Sequence, residues 1–268
     1  MYRLLAIDLD GTLLTPRPEK IITSRAREAL RRAAEVGIII VIATGQNLAV
    51  LQHTCGDLPL NGPQIIENGA VIANIHGHIY YERPLPTEYI LPTLKVLREQ
   101  GFYRAYHTIH RVYVDRNTPR SEEWYRPPVP PAVQVENVEQ LYPLSCIKVV
   151  GIGTEEVIRA RRPMLEEMYA GKLYVTQSSF DLIEFLHPDV SKEKALRRIA
   201  ADLGISAEEI AAFGDNHNDI GMLRFASLGV AMGHAHSEVK EAANYVTGSN
   251  AEDGVAAVIE TMILPTVK

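Results

Sequence analysis

Apolar runs of strand length recur along this sequence and alternate with helical patterns, and this alternation constrains the fold more than any other feature. The runs end in polar or glycine-containing turns and cover residues 3–8, 38–44, 209–215 and 227–233. Helical patterns occupy 24–37 and 192–204, and each ends in a glycine that suits a helix C-cap. Continuously apolar strands that alternate with helices indicate a parallel sheet covered on both faces. We therefore predict an α/β fold with a doubly wound parallel sheet.

The middle of the chain has a different pattern. It contains most of the aromatic residues and a Pro-rich loop, and it has no counterpart of the DLDGT or GDNHND motifs. Helix candidates lie at 88–101 and 157–171, strand candidates at 103–115, 146–153 and 173–185, and the Pro-rich loop at 126–131. We predict that residues 84–186 form a second α/β domain, inserted into a first domain built from residues 1–83 and 187–268.

Two aspartates, Asp8 and Asp10, stand where the first apolar run ends. A close pair of carboxylates is electrostatically costly unless a cation or a shared proton relieves it. In a parallel sheet, ligands bind at the carboxyl ends of the strands, so polar residues that end the other runs should lie at the same edge. These residues are Thr44, Gly45, Lys192, Asp215, Asn218 and Asp219.

Oxygen ligands dominate this set, which favours a hard divalent cation. Magnesium takes one or two carboxylates together with substrate phosphate and water. Asp8, Asp215 and the backbone carbonyl of Asp10 would be a sufficient set of protein ligands. The cofactor that the sequence predicts is therefore Mg²⁺.

A metal at this edge would keep Asp8 ionised and make it a nucleophile for phosphorus. Lys192 would then offset charge on the transferring phosphoryl group, and Asp10 could act as general acid and base. The side chains of Thr44 and Asn218, with backbone amides near Leu9 and Gly45, would orient the phosphate oxygens. These are the predicted phosphate-binding groups.

Five stretches of this sequence resemble, in order and spacing, the haloacid dehalogenase (HAD) superfamily, and most closely its Cof-type phosphatase branch. The stretches are DLDGTLL, IATGQ, SKEKAL, GDNHNDIGML and GVAMGHAHSEVKEAANYVTGSNAEDGV. The resemblance implies a Rossmann-like core with an inserted α/β cap domain that closes over the active site and selects the substrate.

The resemblance also implies roles for individual residues. Asp8 matches the nucleophile that becomes a phosphoaspartate, and Asp10 matches the acid/base residue. Thr44 and Lys192 match phosphate-binding residues, and Asp215 matches a metal carboxylate.

Further positions match with less defined roles or depart from the family pattern. Asn218 matches a phosphate contact, and Asp219 matches a metal-site residue, either a direct ligand or a neighbour of the ligands. Asp219 could instead be an acidic residue at the start of a helix, where its negative charge interacts favourably with the helix dipole. Gln46 stands where many relatives have Arg, and His234 stands where many have Asn. The change at Gln46 puts substrate affinity in doubt rather than the core chemistry.

The predicted function is Mg²⁺-dependent hydrolysis of a small soluble phosphate monoester, such as a sugar phosphate, through a phosphoaspartate. One alternative is a phosphotransferase or phosphomutase on the same fold, which would pass the phosphoryl group to a second hydroxyl. Another is a non-catalytic sensor of phosphate ligands. Asp10 and the large inserted domain argue against a sensor, which needs neither an acid/base group nor a lid.

Composition excludes several other classes of protein. A formal net charge of -6 argues against a nucleic-acid partner, because binding to the phosphate backbone depends on Lys and Arg. No apolar run approaches the roughly eighteen residues of a membrane span, and the first residues do not resemble a signal peptide. We predict a cytoplasmic enzyme with a small-molecule substrate, no membrane association and no inferred obligate protein partner.

Overall fold

The computed structural model describes residues 1–117, 122 and 131–266. The chain divides into two compact units: the first combines Met1–Tyr80 with Ser191–Lys268, and the second is Tyr81–Val190. The sequence analysis predicted that the chain passes between the two domains after residues 83 and 186, whereas the two units meet after Tyr80 and Val190. The predicted Pro-rich loop at 126–131 lies, apart from Pro131, outside the described residues.

The regular elements are numbered here in chain order. The strands are β1 Leu4–Ile7, β2 Ile39–Ile42, β3 Gln64–Ile66, β4 Val71–Ala73, β5 Ile79–Glu82, β6 Tyr103–His107, β7 Val112–Val114, β8 Val133–Gln134, β9 Lys148–Ile152, β10 Tyr174–Ser179, β11 Leu182–Leu186, β12 Ile210–Gly214, β13 Leu228–Ala231 and β14 Tyr245–Val246. The α-helices are α1 Ser24–Glu35, α2 Leu48–Cys55, α3 Thr87–Glu99, α4 Glu155–Met168, α5 Lys192–Leu203, α6 Ile220–Phe225, α7 Ser237–Ala242 and α8 Gly254–Val258. Single helical turns lie at Leu9–Leu13, Glu67–Gly69, Val138–Leu141, Ala207–Glu209, His217–Asp219, Asn250–Glu252, Ile259–Ile263 and Leu264–Thr266.

A five-stranded parallel sheet forms the centre of the first unit, in the order β14-β13-β12-β1-β2. Strand β1, which lies between β12 and β2, is buried along its whole length, and this burial explains its continuous apolar sequence. From β1 the chain continues to β2 on one side, and after the insertion it returns to β12 on the other side. This reversal of strand order places a topological switch point at the ends of β1 and β12, where ligands bind in such sheets.

Capping residues define the helices next to this edge. Thr23 accepts a hydrogen bond from the amide of Ala26 at the start of α1. Ser191 accepts one from the amide of Lys194 at the start of α5, and Gly204 ends that helix in the left-handed conformation at φ +61°. Ser191 therefore fixes where α5 begins, and with it the position of Lys192 in the first turn.

A small antiparallel sheet of β3, β4 and β5 follows β2. It joins the main sheet through a parallel bridge between Ala43 and Ile65. These strands are too short to show a hydrophobic period, and the sequence did not predict them.

The second unit contains a six-stranded sheet in the order β10-β11-β9-β6-β7-β8. Its apolar core includes Leu94 and Leu97 of α3, Ile158 of α4, and Phe185 of β11. The single strand candidate at 103–115 was wrong in extent, because a turn in which the amide of Thr108 donates to the carbonyl of Arg111 divides it into β6 and β7.

The predicted fold class is confirmed: an α/β chain with a parallel-sheet core and an inserted second α/β unit. Within the part of the chain that the structure describes, no helix combines the length and the apolar character needed to cross a membrane.

Candidate active site

Lys192 and two aspartates form a buried ion-pair cluster at the carboxyl edge of the parallel sheet. Asp8 directly follows β1, and Lys192 lies in the first turn of α5. The Lys192 Nζ lies 2.5 Å from Asp8 Oδ1 and 2.7 Å from Asp219 Oδ1. All three side chains are buried. The arrangement therefore places the Asp8 carboxylate beside a fixed cation.

Burial dominates the protonation behaviour of this cluster. It raises the pKa of Asp8 well above its ordinary value, against the opposing effect of Lys192, and the nearby carboxylates of Asp219 and Asp215 raise it further. Burial likewise raises the pKa of Asp219, with Lys192 opposing. Burial alone would lower the pKa of Lys192, but Asp219 and Asp8 outweigh it and raise that pKa. Lys192 is thus held in its charged form. Its single positive charge does not offset the effect of burial on Asp8 and Asp219, so the pKa values of both carboxylates stay raised.

The carboxylates of Asp8, Asp215 and Asp219 each place one oxygen within 4.8 Å of the others. Lys192 occupies Oδ1 of Asp8, which leaves Oδ2 for a ligand. Thr12 donates to Asp215 Oδ1 at 2.9 Å, which fixes that carboxylate and leaves its Oδ2. This oxygen-only set fits a hard divalent cation, whose charge would relieve the repulsion that raises the pKa of Asp8.

Two glycines make room for this carboxylate group. A Cβ on Gly11 would lie 2.4 Å from Asp215 Oδ2, and Gly11 also has a φ of +87°, which side chains rarely adopt. A Cβ on Gly214 would lie 2.4 Å from the Cβ of Asp219. The glycines of DLDGT and GDNHND are thus steric requirements of the acidic group.

Asp10 faces a different set of partners. Its Oδ1 forms an ion pair with Lys20 Nζ, and its Oδ2 accepts a hydrogen bond of 2.8 Å from Gln46 Nε2. Burial would raise the pKa of Asp10, but Lys20, Gln46 and Lys192 together lower it below its ordinary value. The two carboxylates of the DLD motif therefore have opposite pKa shifts, as expected of groups with different roles.

Three of the predicted phosphate-binding residues, Thr44, Gly45 and Asn218, meet around Asn68. Its amide donates to the carbonyl of Thr44 at 3.0 Å, and its Oδ1 accepts from Asn218 Nδ2 at 2.9 Å. A Cβ on Gly45 would lie 3.2 Å from the side-chain amide of Asn68. Oδ1 of Asn218 is buried and has no hydrogen-bond partner among the described residues. The loop after β3 thus ties the end of β2 to the turn that follows β12.

Comparison with known proteins decides the family. Residues 5–259 match the model of the haloacid dehalogenase-like hydrolase family. The chain is a haloacid dehalogenase-like (HAD) hydrolase. This match and the relatives below confirm the predicted membership of the Cof-type phosphatase branch.

Several relatives of this HAD hydrolase are phosphatases, and the similarity to them extends over almost the whole of both chains. It is 32% identical to the 5-amino-6-(5-phospho-D-ribitylamino)uracil phosphatase YcsE of Bacillus subtilis, over 98% of this chain and 96% of that protein. It is 30% identical to the pyridoxal phosphate phosphatase YbhA of Escherichia coli, over 98% of this chain and 99% of that protein. A solved sugar phosphatase of HAD subclass IIB superposes with a TM-score of 0.82 at 28% identity, over 96% of this chain and 98% of that one. The chain is accordingly a HAD-type phosphoric monoester hydrolase, as predicted.

In this HAD hydrolase, Asp219 supports both the lysine and the loop that carries Asp215. Its Oδ1 binds Lys192, and its Oδ2 accepts from the backbone amides of Asp215 and Asn216 at 3.1 and 3.0 Å. The interpretation of Asp219 as an acid at the start of a helical turn is thus compatible with its contacts. Whether it binds metal directly remains a prediction.

The carboxylate of Asp10 lies outside the acidic triad and binds Lys20 and Gln46 instead. A metal contact through its backbone carbonyl remains a prediction. Leu9 begins the turn after Asp8 and has a buried side chain, and the role of its amide remains a prediction too. At the rim, His234 Nε2 lies 3.7 Å from Asp215 Oδ2.

Sequence reasoning missed several residues of the HAD site. Lys20 lies in a loop without a recognisable motif, and its contact with Asp10 has no local signal. Thr12 was read only as part of the DLDGT motif, although its hydroxyl holds Asp215. Ser191 could have been found, since a serine directly before a helical pattern is a typical N-cap. Asn250 lies in the last of the stretches that resemble the family, where the resemblance gave it no defined role; its side chain donates to the carbonyl of Leu14 at 2.6 Å and so fixes the end of the first motif.

Proposed function

We propose that this chain is a Mg²⁺-dependent phosphatase that hydrolyses a small phosphate monoester through a phosphoaspartate on Asp8. The observation that supports this most is the environment of Asp8. It is a buried carboxylate directly after strand β1, paired with Lys192 through one oxygen and close to Asp215 and Asp219. A carboxylate with a free oxygen beside a cation and a metal-type ligand set suits nucleophilic attack on phosphorus.

Asp8 and Asp215 would bind the metal, with the backbone carbonyl of Asp10 as a further ligand. Asp219 would either bind it directly or position the residues that do. When bound, Mg²⁺ would neutralise charge on the phosphate oxygens and keep Asp8 ionised. Lys192 contributes a second positive charge that does not depend on the ion. Thr44, Gly45, Asn218 and the amide of Leu9 are the groups we assign to orient the phosphate.

The reaction proceeds in two steps. In the first, an oxygen of Asp8 attacks phosphorus, the bond from phosphorus to the ester oxygen breaks, and Asp10 gives that oxygen a proton. In the second, a water molecule gives a proton to Asp10 and attacks phosphorus, and the bond to Asp8 breaks to release phosphate. Asp10 returns to its starting protonation state after one cycle. Its lowered pKa favours the carboxylate, which is the form that accepts a proton in the second step.

The proposed substrate class is a small phosphorylated metabolite such as a sugar phosphate. Relatives named for a phosphoribitylamino-uracil, for pyridoxal phosphate and for sugar phosphates share a phosphate monoester on a small polar molecule. The support for hydrolysis is therefore stronger than the support for any one leaving group.

A screen of phosphorylated metabolites with Mg²⁺, ranked by kcat/KM, tests the substrate class. The mechanism is tested by acid-quenching the enzyme during turnover and locating added phosphate by mass spectrometry. We expect phosphate on Asp8 in the wild type and none on the Asp8→Asn variant, because an amide is a poor nucleophile. Asp202→Asn, which changes an exposed aspartate of α5, is the control and should behave as wild type. Turnover by Asp8→Asn at the wild-type rate, or phosphate on another residue, would refute the proposal.

A further inference from the structure

Asp10 is held by two donors from separate segments of the first unit. Lys20 contacts Oδ1 from the loop between the first motif and α1, and Gln46 contacts Oδ2 from the loop after β2. Each carboxylate oxygen has its own donor. The carboxylate cannot rotate about its terminal bond without breaking one of these contacts.

The loop that carries Lys20 has a defined backbone. The amide of Thr15 donates to the carbonyl of Ile21 at 2.9 Å, and the amide of Ile21 donates back to the hydroxyl of Thr15 at 3.1 Å. The amide of Lys20 donates to the carbonyl of Pro16 at 3.3 Å. Lys20 itself has a φ of +45°, a conformation uncommon for residues with a side chain. The loop is therefore closed by its own hydrogen bonds, and these present Lys20 to Asp10.

Of the two donors to Asp10, only Lys20 carries a positive charge. Gln46 is neutral, so Lys20 supplies the ionic part of the contact and Gln46 supplies a directional hydrogen bond. The side chains of Lys20 and Asp10 are 30% and 32% exposed, so both can be changed without opening the core.

We propose that Lys20 and Gln46 are positioning residues that hold the Asp10 carboxylate in the orientation needed to take a proton from the attacking water. This proposal rests on the phosphoaspartate mechanism above. Proton transfer requires a heavy-atom separation of about 2.6–3.2 Å and good alignment, so a carboxylate that rotates freely spends less time in productive geometry. In the affected step a water proton moves to Asp10, the water oxygen bonds to phosphorus, and the phosphorus–Asp8 bond breaks.

The experiment uses p-nitrophenyl phosphate, whose leaving group needs little protonation. Phosphorylation of Asp8 should then depend little on Asp10, whereas removal of the phosphoryl group should depend on it. We expect Lys20→Met to lower kcat about tenfold and to raise the fraction of enzyme found phosphorylated at Asp8 during turnover. A merely structural defect would lower the active fraction and would not enrich the phosphoenzyme.

Matched variants separate charge from loop structure. Lys20→Arg keeps the cation and should retain most of the wild-type rate. Gln46→Arg, introduced into Lys20→Met, supplies a cation from the other side of Asp10 and should restore part of kcat. Glu19→Gln changes the exposed neighbour of Lys20 and should match the wild type in rate and phosphoenzyme level.

The outcomes distinguish this proposal from the proposed function. Wild-type enzyme that turns over without phosphate on Asp8 would overturn the proposed function and this inference with it. Phosphorylated wild type combined with a Lys20→Met variant of unchanged kcat, or of lower kcat without phosphoenzyme enrichment, would overturn the positioning role alone. Thermal unfolding of each variant confirms that the protein is folded in these comparisons.

Discussion

The ammonium group of Lys192 lies 2.5 Å from Asp8 Oδ1, and this contact joins residues that are 184 positions apart in the chain. The same ammonium group lies 2.7 Å from Asp219 Oδ1. One buried cation therefore serves two buried carboxylates. Because the lysine begins α5 and Asp8 directly follows β1, the contact also fixes that helix against the parallel sheet.

Replacing Lys192 with methionine should damage both stability and activity. Removing one partner of a buried ion pair leaves an uncompensated charge and costs about 3–5 kcal/mol. Loss of a fixed charge beside the phosphoryl group should lower kcat/KM by about 10²-fold or more. Urea unfolding and steady-state kinetics measure the two effects. Lys194→Met, at an exposed position of the same helix, should change both values little. A stable, active Lys192→Met protein would contradict the role of this contact.

Replacing Asp8 with asparagine should abolish activity yet stabilise the metal-free protein at neutral pH. The folded state raises the pKa of Asp8 above its ordinary value of 3.8, so ionisation of Asp8 opposes folding. The stability that the protonated form confers is present below that value and is lost as pH rises through the raised folded pKa. We expect the Tm of Asp8→Asn in chelator to exceed that of the wild type by about 2–4 °C, as ~1 kcal/mol gives in a chain of this size.

Lowering the pH provides a control for the comparison of Asp8→Asn with the wild type. The difference in Tm between Asp8→Asn and the wild type should shrink as the pH falls towards about 4, because Asp8 becomes protonated in the wild type. Added Mg²⁺ should also reduce it by stabilising the wild type. An Asp8→Asn protein less stable than the wild type in chelator would show that the ion pair with Lys192 outweighs burial.

Replacing Gly11 with alanine should remove activity through Asp215. The new Cβ would lie 2.4 Å from Asp215 Oδ2, so that carboxylate must move. Gly37→Ala is a matched control, since Gly37 has a nearly identical φ of +88° and no atom within 4 Å of the added Cβ. Both variants should lose about 1 kcal/mol or more from backbone strain. Only Gly11→Ala should lose kcat/KM and require more Mg²⁺ for half-maximal activity; equal kinetics in the two variants would exclude a steric role for Gly11.

Removal of the metal should stop turnover. We expect a chelator to abolish hydrolysis of a generic phosphate ester, Mg²⁺ to restore it, and Ca²⁺ to restore little, because its looser and higher coordination misplaces the nucleophile. Asp215→Asn should raise the Mg²⁺ concentration needed for half-maximal activity. Titration of metal-depleted enzyme with each ion measures these effects, and full activity in metal-free buffer would disprove the metal requirement.

Much of the architecture could be read from the order of residues. The runs at 3–8, 38–44, 209–215 and 227–233 correspond to β1, β2, β12 and β13. Burial on both faces of a parallel sheet demands continuous apolar residues, so these strands carry a strong local signal. The three-residue strands β3 and β4 carry none, because a period of two residues needs a longer run to be visible.

The apolar runs and their acidic ends were enough to predict that Asp8 and Asp215 lie at one edge of a parallel sheet, because strand polarity brings the carboxyl ends of parallel strands together. That β1 and β12 are neighbours, and which partner each side chain takes, follows from tertiary packing. Lys192 could have been a solvated residue at a helix start, yet it is buried between Asp8 and Asp219. Lys20 pairs with Asp10 although no motif marks it. Such contacts depend on distances of a few ångströms between distant segments, which packing sets and local periodicity does not encode.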